Sequence, residues 1–270
     1  ENAIAYCLAE ASERYGILVH AAVVMSNHLH MVVTDVRGNL PQFSHLFFNQ
    51  LAKATNARTG HAESVFARSH RYHCLELLSE DAIACKVAYL LANPVKAGLV
   101  DTRSRWPGFI TGPSDLAEGA VYRASVGDNP YLKTRAQKAL QLRITPPPSV
   151  PDAVTFAKRV AEDVHSIEEH YRSERRIQGC SVKGAEAVRV EKWFRKPKSG
   201  FRLFRMMPAL AERVKAIRVA AISSLQRFRR TYRDAICAFR EGNHDVTFPH
   251  GTWWMRVGFN VRIGTSEMLS

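Results

Sequence analysis

Hydrophobic positions along the first hundred residues recur with periods that switch between helix and strand. Ile4, Ala5, Leu8 and Ala11 share one helical face, which predicts an amphipathic helix over residues 3–15, ended by the left-handed residue that Gly16 can supply. The valine-rich apolar run from Ile17 to Met25 predicts a buried strand, Ser26 and Asn27 bring turn chemistry, and His28 to Thr34 alternates again. That is a hairpin with histidines at its turn. Phe43, Leu46, Phe47, Leu51 and Ala54 recur at helical spacing and predict a second helix from Leu40 to about Asn56, with Gly60 beyond its end. A strand is expected near Tyr72 to Leu77. Ser79 then caps a third helix, whose first turn carries Glu80 and Asp81 and which runs through Tyr89 towards Asn93 and Pro94.

From Trp106 to Asp128 the periodicity dissolves into Gly, Pro, Ser and Asp, and Pro146, Pro147, Pro148 and Pro151 mark a break. The expected division is a first domain over 1–115, a linker over 116–151 and a mostly helical extension over 152–270. Within the extension, residues 152–176 and 208–240 read as long charged helices, separated by a basic stretch that holds Trp193, Phe194, Phe201 and Phe204. No internal repeat is present, so a solenoid is not expected.

Charge sharpens this division. The chain has 38 Lys and Arg against 25 Asp and Glu, yet its first 110 residues carry 10 basic and 9 acidic groups while the remainder carries 28 and 16. A basic C-terminal part favours polyanions such as nucleic acid, although a solvated helical surface has the same composition. No apolar run approaches the roughly 18 residues of a membrane span, and the chain start lacks the pattern of a secretory signal, so a soluble protein with no membrane partner is expected. The five cysteines are scattered and form no CxxC, which argues against a disulfide framework or thiolate zinc site and for a reducing cytoplasm. The chain opens on Glu1 and enters a helix at once, so an element before residue 1 is expected to be missing from the fold.

The chemistry concentrates in two segments. In Met25-Ser-Asn-His-Leu-His-Met-Val-Val the alternation of a strand points His28 and His30 one way and Leu29, Met31 and Val33 the other. Two imidazoles on one face can chelate a divalent ion; two histidines flanking a hairpin would show the same spacing. Tyr89 and Asn93 stand four apart on the third helix, so a phenol and an amide oxygen can approach the pair together. Such a set suits metal-assisted transesterification of a phosphodiester, in which the tyrosine oxygen attacks phosphorus while the ion stabilises the developing charge. A tyrosine, with an ordinary pKa of about 10, needs nearby cationic charge to act so. A packed helix tyrosine is the alternative. Tyr6, Tyr15 and Tyr72 are rival nucleophiles that packing explains as well. His20 is placed to reach the metal face or to sit hydrogen-bonded in the core, and His70 and His73 flank Arg71 in a basic stretch. Trp253 and Trp254 fit burial against the C-terminal helices better than stacking on bases.

The strings MSNHLHMVV and AYLLANPVKAGLV resemble the two signature segments of the single-tyrosine HUH transposases, which include small insertion-sequence enzymes and REP-associated tyrosine transposases. SVFARSHRYH (Ser64 to His73) and RWPGF (Arg105 to Phe109) lie where such proteins have comparable stretches, and the resemblance spans about residues 1–110. It implies His28 and His30 as metal ligands, Asn93 as a further ligand, Tyr89 as nucleophile, and Mg²⁺ or Mn²⁺ as the ion. Arg68, Arg71 and Lys96 are the expected DNA-binding residues; Arg68 and Arg71 suit contacts to phosphate, and a solvated pair is the alternative for them. The implied fold is α+β: a ferredoxin-like antiparallel sheet with helices on one face and its first strand missing before residue 1, followed by the helical extension. The implied function is that of a transposase, cutting and rejoining single-stranded or hairpin DNA through a 5′-phosphotyrosine, as a monomer or homodimer. The extension, with FPHGTWWMRVGF near its end, resembles that of a subgroup of these proteins. A domesticated hairpin-binding protein without turnover and a metal-dependent phosphodiesterase using water are the rival readings.

Overall fold

The computed structural model describes residues 2–60, 62–66, 72–135, 139–191 and 210–265. The chain runs through α1 (Asn2–Tyr15), β1 (Ile17–Val24), β2 (Leu29–Asp35), α2 (Leu40–Thr59), β3 (Glu76–Leu77), α3 (Glu80–Leu91) and α4 (Asn93–Lys96). There follow α5 (Asp115–Glu118), β4 (Ala120–Ala124), α6 (Pro130–Arg135), β5 (Leu140–Ile144), α7 (Ala153–Ile177) and α8 (Ala185–Arg189). The last part holds β6 (Leu210–Ala211), α9 (Lys215–Arg240), β7 (Thr247–Phe248), α10 (Trp254–Phe259) and β8 (Arg262–Ile263). The class is α+β, a sheet with helices and a helical C-terminal part. No helix among the described residues is long and apolar enough to cross a membrane.

The main sheet has the order β2-β1-β5-β4. β1 pairs antiparallel with β2, and β4 antiparallel with β5, but β1 and β5 run parallel, with Val19 opposite Ile144. The sheet is therefore mixed rather than antiparallel throughout. Residues 116–151, expected as a linker, supply two of its four strands. Their five-residue strands Ala-Val-Tyr-Arg-Ala and Leu-Gln-Leu-Arg-Ile bury only alternate side chains, which leaves a faint signal in a Pro- and Gly-rich region.

Helices cover both faces of the sheet instead of one. On one side α1 and α2 pack Leu8, Phe43, Phe47 and Leu51 against Ile17, Val19 and Ala22 of β1 and Leu142 and Ile144 of β5. On the other side Ile83, Val87 and Leu91 of α3 meet Phe156, Val160 and Val164 of α7 over Ala21 and Val23 of β1. Residues 153–177 thus belong to the same body as the first domain. A third, smaller cluster joins Ala235 of α9 to Phe248, Met255 and Val261.

One bulge lets β1 serve both cores. Its register against β2 slips between Val19 and Ala21, so His20 is the extra residue. Before it the odd-numbered residues Ile17 and Val19 face the α1 side; after it Ala22 does, while Ala21 and Val23 turn to α3. Local signals set the remaining boundaries. Gly16 (φ 68°) and Gly60 (φ 70°) adopt the left-handed conformation that ends α1 and α2, and Ser79 Oγ accepts the Ala82 amide at 3.2 Å. Asp35 accepts the amides of Arg37, Asn39 and Leu40 at 3.2, 2.9 and 2.8 Å, so the carboxylate at the end of β2 shapes the entry into α2.

Candidate functional site

β2 lies at the edge of the sheet, and beside it opens a cleft of about 1940 Å³. Among its lining residues are His28 and His30 from the hairpin, Tyr72 and Cys74 from the segment before β3, and Lys86 and Tyr89 from α3. The hairpin is tight: the Met25 amide donates to the His28 carbonyl at 2.8 Å, closing a turn that brings both imidazoles to one end of β2. Their ring centroids are 4.9 Å apart, edge to face.

The protonation of this pair follows from its surroundings. The side-chain amide oxygen Oδ1 of Asn27 can only accept, so the 2.7 Å contact to His28 Nδ1 puts the proton on Nδ1 and leaves Nε2 with a free lone pair. Burial lowers the pKa of both rings, and for His30 repulsion from a charge on His28 and from that of Lys96 lowers it further. Two neutral imidazoles side by side are nitrogen donors ready for a divalent cation. Among the described residues no group of three or more His, Cys, Asp or Glu side chains comes together as a metal site. The pair thus fits an ion held partly by the protein and partly by other oxygens, such as those of a phosphate and water.

Tyr89 is 40% exposed on α3, and its hydroxyl accepts a 2.8 Å hydrogen bond from Lys96 Nζ. The same ammonium lies 4.2 Å from the centre of the Tyr89 ring and 5.9 Å from that of Tyr171 on α7, and Lys86 Nζ stands 5.9 Å from the Tyr89 ring. Partial burial pulls the Lys96 pKa down, but its hydrogen bond to Tyr89 and further contributions from Tyr89 and Tyr171 outweigh this and raise it above the ordinary value. Lys96 is an ammonium at neutral pH.

Of the residues singled out from the sequence, His28, His30 and Tyr89 line one cleft, and Lys96 contacts Tyr89 directly. Asn93 does not line that cleft. It is 7% exposed at the start of α4, beyond a break at Ala92, where ψ is −4° and Pro94 has no amide to extend α3. Arg68, Arg71 and His70 lie outside the described residues, as does the stretch holding Trp193, Phe194, Phe201 and Phe204. Tyr6 is buried in the α1 core, Tyr15 half-buried, and Tyr72 exposed beside Phe48. His73 is exposed, and Trp254 is 63% exposed while its neighbour Met255 fills the small third core.

His20 takes the core alternative. It is 1% exposed; its Nδ1–H donates to the Thr145 carbonyl at 2.7 Å, and Nε2 accepts from the Thr34 hydroxyl at 2.8 Å. Burial lowers its pKa, with the Thr145 bond opposing. Tyr171 escaped the sequence reading, because only a non-local packing of α7 on α3 and α4 brings its ring near the Lys96 ammonium. A scan against protein-family models, a search of curated proteins and a search of solved structures each find no match to this chain.

Proposed function

We propose that this chain is a metal-dependent DNA strand transferase of the tyrosine-nucleophile kind, cutting and rejoining single-stranded or hairpin DNA in transposition. The observation that carries the reading is the opening of two neutral imidazoles, His28 and His30, onto the same cleft as a tyrosine oxygen already bound by an ammonium. The motif resemblance supplies the reaction class. His28 and His30 would hold Mg²⁺ or Mn²⁺, which supplies charge neutralisation on a phosphate oxygen. Tyr89 attacks phosphorus and forms a 5′-phosphotyrosine; the phosphodiester's 3′ oxygen leaves with a proton taken from water. Because the ester bond is conserved in the protein adduct, a second 3′-hydroxyl can reverse the step without a nucleotide cofactor. The basic C-terminal surface, with Arg227, Arg229, Arg230 and Arg233 along α9, suits the polyanion.

The test is denaturing electrophoresis after incubation with labelled hairpin DNA and Mn²⁺, comparing the parent chain with Tyr89→Phe and with His28→Ala/His30→Ala. A protein-linked DNA band that requires both metal and Tyr89 is the expected result. Metal-dependent cleavage that survives Tyr89→Phe would replace this reading by a water-using phosphodiesterase, and hairpin binding without any cleavage would replace it by a binding protein.

A further inference from the structure

The candidate nucleophile is served by a part of the chain that the sequence separates from it. Lys96 follows Tyr89 by seven residues, yet a helix starting almost sixty residues later holds it in place. Arg175 on α7 donates from Nη1 to the Val95 carbonyl at 2.8 Å, so the guanidinium grips the backbone next to Lys96. One turn earlier, Tyr171 sets its ring 5.9 Å from the Lys96 ammonium. Beyond α7 the chain returns: the Lys183 and Gly184 amides donate to the carbonyls of Gly98 and Leu99, each at 2.9 Å. The α4 turn is therefore clamped from outside by α7 and the segment after it. Phe156, Val160 and Val164 fasten the other end of α7 to the α3 core.

A lysine on this turn has a long flexible stem, and solvent would be its default partner. Here its Nζ instead meets the Tyr89 hydroxyl at 2.8 Å. A hydrogen bond donated by an ammonium is stronger than one between neutral groups, and it strengthens as negative charge grows on the acceptor oxygen.

We propose that Lys96 is the catalytic cation that stabilises the Tyr89 oxygen as it loses its proton and attacks phosphorus, and that Tyr171 and Arg175 of α7 are the positioning residues that keep it there. The inference rests on the tyrosine-nucleophile reading above and assigns Lys96 more than a phosphate contact. The Tyr89 O–H bond breaks and its proton passes to water, the new O–P bond forms as the P–O3′ bond breaks, and the leaving 3′ oxygen is protonated by water. Lys96 keeps all its protons throughout. In rejoining, the same ammonium stabilises the departing phenolate. Among the described residues, other charged or titratable groups near Tyr89 or Lys96 are Lys86, whose ammonium is 5.9 Å from the Tyr89 ring, Tyr171, which acts on Lys96, and His30, which senses the Lys96 charge.

The experiment measures single-turnover formation of the protein–DNA adduct across a pH series at saturating hairpin DNA and Mn²⁺. It uses the full chain with Lys96→Met, Lys96→Arg, Tyr171→Phe and Tyr89→Phe, with hairpin binding and melting temperature measured for each. Lys96→Met is expected to slow adduct formation about 10- to 100-fold, the range for losing a charged hydrogen bond, and to move the rise of rate to higher pH. Its hairpin binding should change less than about threefold, as for one phosphate contact among many. Lys96→Arg should recover most of the rate, and Tyr171→Phe should lose about 3- to 10-fold with the same direction of pH displacement. Lys96→Gln repeats the measurement should Lys96→Met lower the melting temperature. A Lys96→Met rate equal to that of the parent chain would overturn the proposal. So would a defect that matches weakened binding, vanishes at saturation and leaves the pH profile in place. An unaltered Tyr171→Phe enzyme would remove the Tyr171 hydroxyl from the site, and unaltered Tyr171→Ala and Arg175→Ala enzymes would remove α7 from it. No adduct from the parent chain, by contrast, sinks the nucleophile reading itself.

Discussion

Phe156 offers the sharpest test of how the chain is partitioned, because the sequence assigns it to a separate extension and the structure buries it against α3. Its side chain is 1% exposed, within the cluster that contains Ile83, Val87 and Leu91 of α3 and Val23 of β1. Truncation to alanine removes the transfer free energy of a buried phenyl ring, about 1.5–3 kcal/mol. To this is added about 24 cal/mol for each Å³ of cavity left unfilled, so Phe156→Ala is expected to cost about 3–5 kcal/mol. Such a loss is a large fraction of a typical total of about 5–15 kcal/mol. For a chain of this size it corresponds to a fall of about 6–20 °C in melting temperature. Val154 provides the control: it lies on the same helix but is 48% exposed, and Val154→Ala should change stability by no more than about 0.5 kcal/mol. Circular dichroism on heating gives the stability, and amide exchange along α3 shows whether the loss is felt across the interface. Two resolved transitions, with only one displaced by Phe156→Ala and unchanged α3 exchange, would refute the shared core.

Three further outcomes follow from buried polar contacts and one tight approach. Burial depresses the pKa of His20, and similarly those of His28 and His30, below the 6.5 of a free imidazole, so the unfolded chain binds more protons in acid. The associated stability is fully present above pH 6.5 and is lost as pH falls through the folded-state values. His20→Gln, whose amide can still donate to Thr145 and accept from Thr34, should flatten part of that loss in urea midpoints taken across pH, and a parent chain that gains stability on acidification would contradict the argument. Gly108 is a second point: a Cβ there would lie 2.6 Å from Trp106 Nε1 and 3.0 Å from the Val24 carbonyl, to which that indole N–H donates at 3.1 Å. Gly108→Ala should therefore cost about 2–4 kcal/mol by chemical denaturation, and a change within about 0.5 kcal/mol would show that this contact yields freely. Finally, Arg256 on α10 donates to the carbonyls of Arg37 and Gly38 and to Asn39 Oδ1 at 3.1, 2.9 and 3.0 Å. Arg256→Ala should raise amide exchange across the turn between β2 and α2 by about 10-fold or more, while undiminished protection there would deny the tie any energetic weight.

What could be read from the sequence was whatever is decided within a few residues. The helix around Phe43 and Phe47 is found over Leu40–Thr59, and the two long charged helices over Ala153–Ile177 and Lys215–Arg240, because apolar periodicity and end-capping residues are local. The histidine hairpin is found within a residue of its expected ends. The bulge at His20 was not read, since every other residue of Ile17–Val24 is apolar, so both faces look alike on either side of the slip. β5 depends on pairing with a strand more than a hundred residues earlier and β4 pairs only with β5, while the parallel contact of Val19 with Ile144 has no sequence signature. For the site, the imidazole pair and Tyr89 were legible as short motifs. Asn93, expected beside them, opens the short α4 and does not line the cleft, and the arrival of Tyr171 beside Lys96 depends on how α7 packs.

That packing has a temporal side. During synthesis the histidine hairpin and α3 leave the ribosome early, but Arg175 and the strand that lies parallel to β1 emerge only after a further stretch of chain, which at about 5–20 residues per second takes several seconds. Throughout that interval the tyrosine helix has one of its faces uncovered and its lysine unclamped, since Phe156 and Arg175 do not yet exist. A nascent chain therefore carries the histidine hairpin and the tyrosine helix before it carries the scaffold that packs against them, and on the proposed strand-transfer reading translation order itself would delay a competent site until most of the body has been made.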